Sequence, residues 1–342
     1  GYTFLMKFAK GKVPVAGDTA VAAPTERATS SYTVDRSMGP VLSFNTYNDI
    51  FHFLGEPTYG NIEGEQGDWE FVITKLTEDS IFVKGKKWEN EMVFTRMADG
   101  VDWTSYLDSI ADVQKRLGVN YSVGNSSDAS KMVEINSATR RILSRTADGQ
   151  MVEQPFYVTP TGIHAVNEPV ALGEDKAQDF LVSKAGVMTA KDNENLTLNS
   201  YAPSIDTWVG NWTLSAMQGS CDMTISKVED QENMLKGTFT TGGYTYNIGL
   251  SYNPETGALN LPSQLIDDPS GRYPALWLMN ADLNQGTLLG QGGMNVVWHG
   301  VSQEGDFEDD GTLASEGYAS DTFIALACTA KGEPIKENRQ YV

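Results

Sequence analysis

The residues of this 342-residue chain whose types could do chemistry are few: three histidines, an acidic loop, two glycine-rich turns and a set of aromatic side chains. His52, His164 and His299 stand apart, with no i, i+4 pair and no Cys/His cluster, so zinc spacing is absent. They read as structural or surface histidines, with His52, three residues after Asp49, as one half of a site at most. Asp306-Phe-Glu-Asp-Asp-Gly311 superficially suggests a calcium loop, which requires a closing Glu at position twelve. Position twelve is Gly317 and Glu316 is one off, so the segment reads as a solvated acidic hairpin loop. Lys84-Gly-Lys-Lys87 lacks the earlier Gly and the following Ser/Thr of a phosphate-binding loop. Gly290-Gln-Gly-Gly293 joins two strands and reads as a hairpin turn, not a dinucleotide fingerprint. No Gly-x-Ser-x-Gly elbow occurs. Paired carboxylates for glycoside hydrolysis depend on fold geometry, and in an acidic chain their presence alone carries no weight. No catalytic residue, metal site or cofactor is therefore expected, and an enzyme is not the leading reading.

The aromatics are the better lead. Tyr273, Trp277 and Trp298, with the adjacent His299, form the candidate ligand-binding set; Tyr59, Trp69 and Trp88 are their counterparts earlier in the chain. In Leu276-Trp-Leu-Met279 both strand faces are apolar, so one face fills a core and the other must cover a helix, a partner or a ligand. A flat aromatic ring beside polar groups suits stacking on a sugar, with hydrogen bonds from loop Asn, Asp and Gln. The alternative for each ring is an ordinary core position.

The elements that must position these groups are strands. Period-two alternation appears at 31–35, 40–47, 68–74, 80–84 and 91–95, and again at 131–136, 140–145, 156–159, 162–166 and 179–184. One segment breaks it. Trp103, Tyr106, Leu107, Ile110, Val113 and Leu117 fall at helical spacing, with Asp102 as N-cap and Gly118 as stop. This predicts one helix over 102–117, covering an end of the first barrel. After a polar stretch at 191–206, short strand-like runs continue to Thr329. The fold class is all-β: two tandem lipocalin-like β-barrel domains, 1–204 and 205–342. Gly1-Tyr-Thr-Phe, Val41-Leu-Ser-Phe and Asp68-Trp-Glu-Phe echo Gly243-Tyr-Thr-Tyr, Ala258-Leu-Asn-Leu and Ala275-Leu-Trp-Leu in order. That echo suggests a duplication whose first copy lacks its opening strands. Cys221 and Cys328 fall in an early and a late strand of the second domain, which are neighbours in a closed barrel. A disulfide there would close a loop of about 100 residues, worth roughly 4–5 kcal/mol, and would imply export. Free thiols are the other possibility.

With 25 basic against 45 acidic residues the net charge is −20, which repels phosphate backbones and anionic lipid. Nucleic acid is not an expected partner. No apolar run of about 18 residues occurs, and no signal segment opens the chain. The start directly on a strand-like run suggests a mature or trimmed product.

Gly210-Asn211-Trp212, ahead of a series of short strands, resembles the opening of lipocalin-like barrels. A second, more specific likeness runs through Ser30-Ser-Tyr, Gly39-Pro-Val-Leu-Ser-Phe-Asn-Thr-Tyr-Asn-Asp-Ile-Phe-His52, Gly67-Asp-Trp-Glu-Phe-Val-Ile73 and Val83-Lys-Gly-Lys-Lys87. This series resembles a family of uncharacterised lipoproteins from gut Bacteroidetes, domain of unknown function 4302, mainly over residues 1–100. The resemblance implies export, a lipid anchor at a Cys upstream of Gly1, an outer-membrane place in the cell envelope and a nutrient-acquisition setting. It supplies no catalytic residues. The resulting expectation is a non-enzymatic envelope lipoprotein that binds a nutrient, foremost a glycan. The alternatives are a carrier of an apolar small molecule and a subunit that binds another envelope protein.

Overall fold

A computed structural model describes residues 1–36, 39–57, 62–216, 219–282, 287–288, 292–309, 322–333 and 335. Tyr59, Gly290, Gln291, Gly311, Glu316 and Gly317 lie outside them. The chain is all-β, as its alternation predicts, and divides into two compact units, 1–119 with 135–199 and 120–134 with 200–342.

Residues 4–95 form a seven-stranded antiparallel meander, from Phe4–Met6 at one edge to Glu91–Thr95 at the other. Alternate residues Val13, Val15, Leu42, Phe44, Phe71 and Val83 point to one side and form its core with Ile50 and Phe51. The helix spans Trp103–Gln114, inside the predicted range. Asp102 caps it by accepting from the Ser105 amide at 3.0 Å, and Leu107, Ile110 and Val113 make one buried stripe. It packs on the strand Met151–Thr159.

A closed barrel follows. Its order is Arg141–Arg145, Met151–Thr159, Gly162–Ala165, Asp179–Val182, Met188–Ala190, Asn193–Ser200, Asn120–Val123 and Met132–Asn136. Tyr121, Ile142, Phe156, Phe180 and Met188 are fully buried on these strands; side chains of this size fill an eight-stranded barrel.

The strands after residue 200 pair differently. Gly210–Ala216, Gly219–Lys227, Met234–Thr241, Tyr244–Tyr252, Leu259–Pro262, Gly293–His299 and Glu304–Asp309 make a seven-stranded sheet. Gln264–Ile266, Ala275–Asp282, Thr287–Leu288 and Thr322–Cys328 make a second sheet. Among the described residues these two sheets remain separate, because Thr322–Cys328 pairs with Ala275–Asp282 rather than with the first strand of the unit. The same pairing corrects the disulfide expectation. Cys221 faces Leu214 in one sheet, Cys328 faces Ala275 in the other, and both thiols are free. The internal echo also divides: Phe4–Met6 is an edge strand, whereas Tyr244–Tyr252 lies inside its sheet. Among the described residues no helix is long and apolar enough to cross a membrane.

Candidate functional site

Of the four candidate ligand-binding residues, one lines a cleft. Trp298 is a core residue, only 5% exposed, with its ring 5.6 Å from Trp208 and 6.0 Å from Trp212 in edge-on contacts. Trp212 is the tryptophan of the Gly-x-Trp opening, and its indole donates to the Trp208 carbonyl at 2.7 Å. The tryptophan of the motif thus packs against the second unit's core. Trp277 is half-buried and packs against Met279, Ala281, Ile324 and Leu326. The second apolar face of its strand thus forms this small cluster with the paired strand, while Leu276 and Leu278 join the main core. Neither tryptophan lines the cleft that Tyr273 lines.

His299 sits elsewhere, on a polar clamp. Its Nδ1 is 3.5 Å from Glu134 Oε2 and its Nε2 is 3.3 Å from Asp306 Oδ2. The Glu134 carboxylate raises the His299 pKa above its ordinary value against the opposing effect of burial, and Asp306 and Glu308 add to the rise. Glu134 Oε1 accepts from the Val301 and Ser302 amides at 2.6 and 3.2 Å. Asn120 completes the grip: its amide donates to the Trp298 carbonyl at 2.6 Å and its oxygen accepts from the Gly300 amide at 2.8 Å. A Cβ at Gly300 would meet Met132 Sδ at 2.7 Å and Asn120 Oδ1 at 3.2 Å, so the turn packs closely on both side chains. His299 thus holds a turn and is not part of the cleft that Tyr273 lines. Of the other histidines, His164 pairs with Asp179 at 2.9 Å. His52 stacks between Tyr47 and Trp69 at 5.4 and 5.7 Å, and burial lowers its pKa. Among the described residues no group of three or more His, Cys, Asp or Glu could hold a metal ion.

Tyr273 does line a cleft, of about 310 Å3, at the small end of the roughly 300–1,000 Å3 range of ligand sites. Sequence reading missed the rest of it. Tyr244 and Tyr246 lie two apart on one strand, so both rings leave the same face, beyond Ile248 and Leu250 of the core. Ala325 and Ala327, small and alternate on the facing sheet, leave the space open. Tyr246 is backed by Phe239, ring to ring at 5.3 Å and 17°. The loop Asp268–Tyr273 forms the polar wall. Asp268 Oδ1 accepts from the Ser270 amide and hydroxyl at 2.9 and 2.7 Å, and Oδ2 from the Tyr273 amide at 2.8 Å. Burial alone would raise the Asp268 pKa, but these bonds outweigh it and hold the carboxyl below its usual value. The Arg272 guanidinium lies 5.3 Å from the Tyr273 ring centre. The Tyr273 hydroxyl is buried and meets no hydrogen-bond partner among the described residues. The alternation Tyr244-Thr-Tyr246 was the one sequence signal that could have found this site.

Residues 1–184 match the model of a family described as Domain of unknown function (DUF4302), more than half of the 342-residue chain. The chain belongs to the DUF4302 family. No curated protein and no solved structure matches it. In this DUF4302 chain, the residues that carry the likeness interlock. Asp68 Oδ1 accepts from the Lys87 and Trp88 amides at 2.9 and 3.1 Å, and Oδ2 from the Asn90 side chain at 3.0 Å. Gly85 must be glycine, since a Cβ there would fall 1.9 Å from Asp68 Oδ2. Glu70 takes the Ser43 hydroxyl at 3.2 Å and the Lys86 ammonium at 3.1 Å. These motif residues tie adjacent strands of the meander together, which is a structural role.

Proposed function

We propose that this DUF4302 protein is a non-enzymatic carbohydrate-binding protein, and that the tyrosine cleft of its second unit holds the sugar. The observation that carries the reading is the buried Tyr273 hydroxyl without a partner, set in a wall of aromatic rings. A buried hydroxyl with no hydrogen bond costs roughly 1–3 kcal/mol. A small turn of the Tyr273 ring toward the cleft would let a ligand hydroxyl supply the bond, and the faces of Tyr244 and Tyr246 would stack on the ring carbons. The export, lipid anchoring and envelope setting implied by the sequence resemblance to Bacteroidetes lipoproteins belong to the same proposal. The apolar-carrier reading has less support, because large side chains fill the closed barrel.

Affinity electrophoresis of the intact chain against plant and host polysaccharides tests the proposal. One class should retard it, and Tyr273→Phe should lose about tenfold in affinity, the value of one well-placed hydrogen bond. The same variant should melt no lower than the parent, since it removes an unsatisfied group. Retardation by no polysaccharide would sink the reading.

A further inference from the structure

We propose that the outer face of the seven-stranded sheet in the second unit is a second carbohydrate site, which takes a linear neutral oligosaccharide lying across the strands. The inference shares with the reading above the premise that the ligand is a glycan, but not the tyrosine cleft.

The register builds the site. Ser251 lies opposite Asn260, Asn260 opposite Asn295, and Asn295 opposite Glu308, on four successive strands. Directly opposed residues share a face, so the four side chains form one row. Their chain neighbours Leu250, Leu259, Leu261 and Val296 turn inward to the core, which fixes the row on the outer face. A cavity of about 380 Å3 opens over it, walled by Ser251, Tyr252, Asn253, Thr256, Asn260 and Asn295.

The chemistry is that of a saccharide. Neighbouring strands lie about 4.8 Å apart, close to the rise per residue of an extended glycan chain. Successive sugar rings laid across the strands would each meet a polar side chain. Amides and hydroxyls both donate and accept, as sugar hydroxyls do. Asn260 spends one donor on Asn295 at 3.3 Å, which holds the two amides in line and leaves their remaining capacity facing outward. No basic side chain belongs to the row and Glu308 ends it, so an acidic glycan gains nothing there. Tyr252, opposite Leu259, packs its ring inward on the core and donates its hydroxyl to the Pro203 carbonyl at 2.9 Å, so it takes no part in the row.

Isothermal titration of the full chain with cellohexaose, xylohexaose and mannohexaose tests the site. One of these should bind, with Asn260→Ala/Asn295→Ala weakening the event by about a hundredfold, the worth of two lost hydrogen bonds at about tenfold each. Ser251→Trp, which fills the cavity while leaving the amides, should abolish the same event. Tyr273→Phe should leave it unchanged. Binding that both the Asn and the Ser251 variants retain at parental strength overturns the proposal and leaves the tyrosine cleft standing. Binding lost in those variants and retained in Tyr273→Phe supports the row and counts against the cleft. Absence of heat with all three probes also overturns the proposal, while polysaccharide retardation dependent on Tyr273 would still uphold the cleft.

Discussion

In the first unit, Arg140 and Asp18 have side chains 1% and 0% exposed and meet at 3.0 Å; in the second, His299 and Glu134 are 23% and 10% exposed and meet at 3.5 Å. Both pairs tie segments far apart in sequence. The fully buried one uses a permanently charged guanidinium in two-pronged contact, through Nη1 to Oδ2 at 3.2 Å and Nη2 to Oδ1 at 3.0 Å. Asp18 also accepts from the Thr3 and Ala20 amides, and Arg140 donates to the Gly1 carbonyl. Removing charges from water on that scale is tolerable only when nearly every lone pair and proton is matched. The second pair is less completely buried, needs less matching, and can use a group that titrates near neutrality.

Breaking the buried pair should have the largest effect. Arg140→Met strands the Asp18 carboxylate and should cost about 3–5 kcal/mol of unfolding free energy, read by urea denaturation. Joining it to Asp18→Leu should restore much of the loss. A double variant no better than Arg140→Met would show that the pair's hydrogen bonds to the chain, and not its charge balance, hold the first unit.

Trp298→Ala separates apolar from ionic anchoring of the turn at His299. The cavity among Trp208 and Trp212 should cost about 3–5 kcal/mol at every pH. A variant that melts like the parent would return Trp298 to the list of ligand contacts.

The smallest effect is the pH dependence of the second pair. The folded pKa of His299 is raised, so its pairing contributes fully below the ordinary histidine value and is lost as pH rises through the folded value. At its exposure the contribution should not exceed about 1 kcal/mol. His52 acts the other way: its folded pKa is lowered, so it favours the folded state as pH rises. The difference between parent and His299→Gln across pH 5 to 9 therefore isolates His299. It should be largest at the acid end and vanish at the alkaline end. A flat difference would mean that the imidazole holds its turn without charge.

Much of the fold was legible because its signals are local. The helix was readable from six apolar residues at helical spacing and from Asp102, whose carboxylate caps an amide three residues away. Strands were readable because alternation is a property of neighbours in the chain. The candidate site was legible only in Tyr273. Trp298 looked like Tyr273 in sequence, but one is 5% exposed in a core and the other lines a cleft. The difference lies in which strands pair beside them. Asp68 and Gly85, 17 positions apart, could be seen as part of one motif series but not as a carboxylate seated where a Cβ would go.

The sequence by itself determined that this chain is all-β with an amphipathic helix after its first strands, acidic, and a member of a family recognisable over its first 184 residues. These follow from composition, from periods of two and 3.6 residues, and from motifs read in order. Only the tertiary structure decided that one set of strands closes into a barrel while the later strands pair as two sheets, that Cys221 and Cys328 are not partners, and that tyrosines from one strand and a separate loop share a cleft. Strand partners, and so sheet closure and side-chain neighbourhoods, are set by hydrogen bonds between segments tens to hundreds of residues apart, and no local period encodes them.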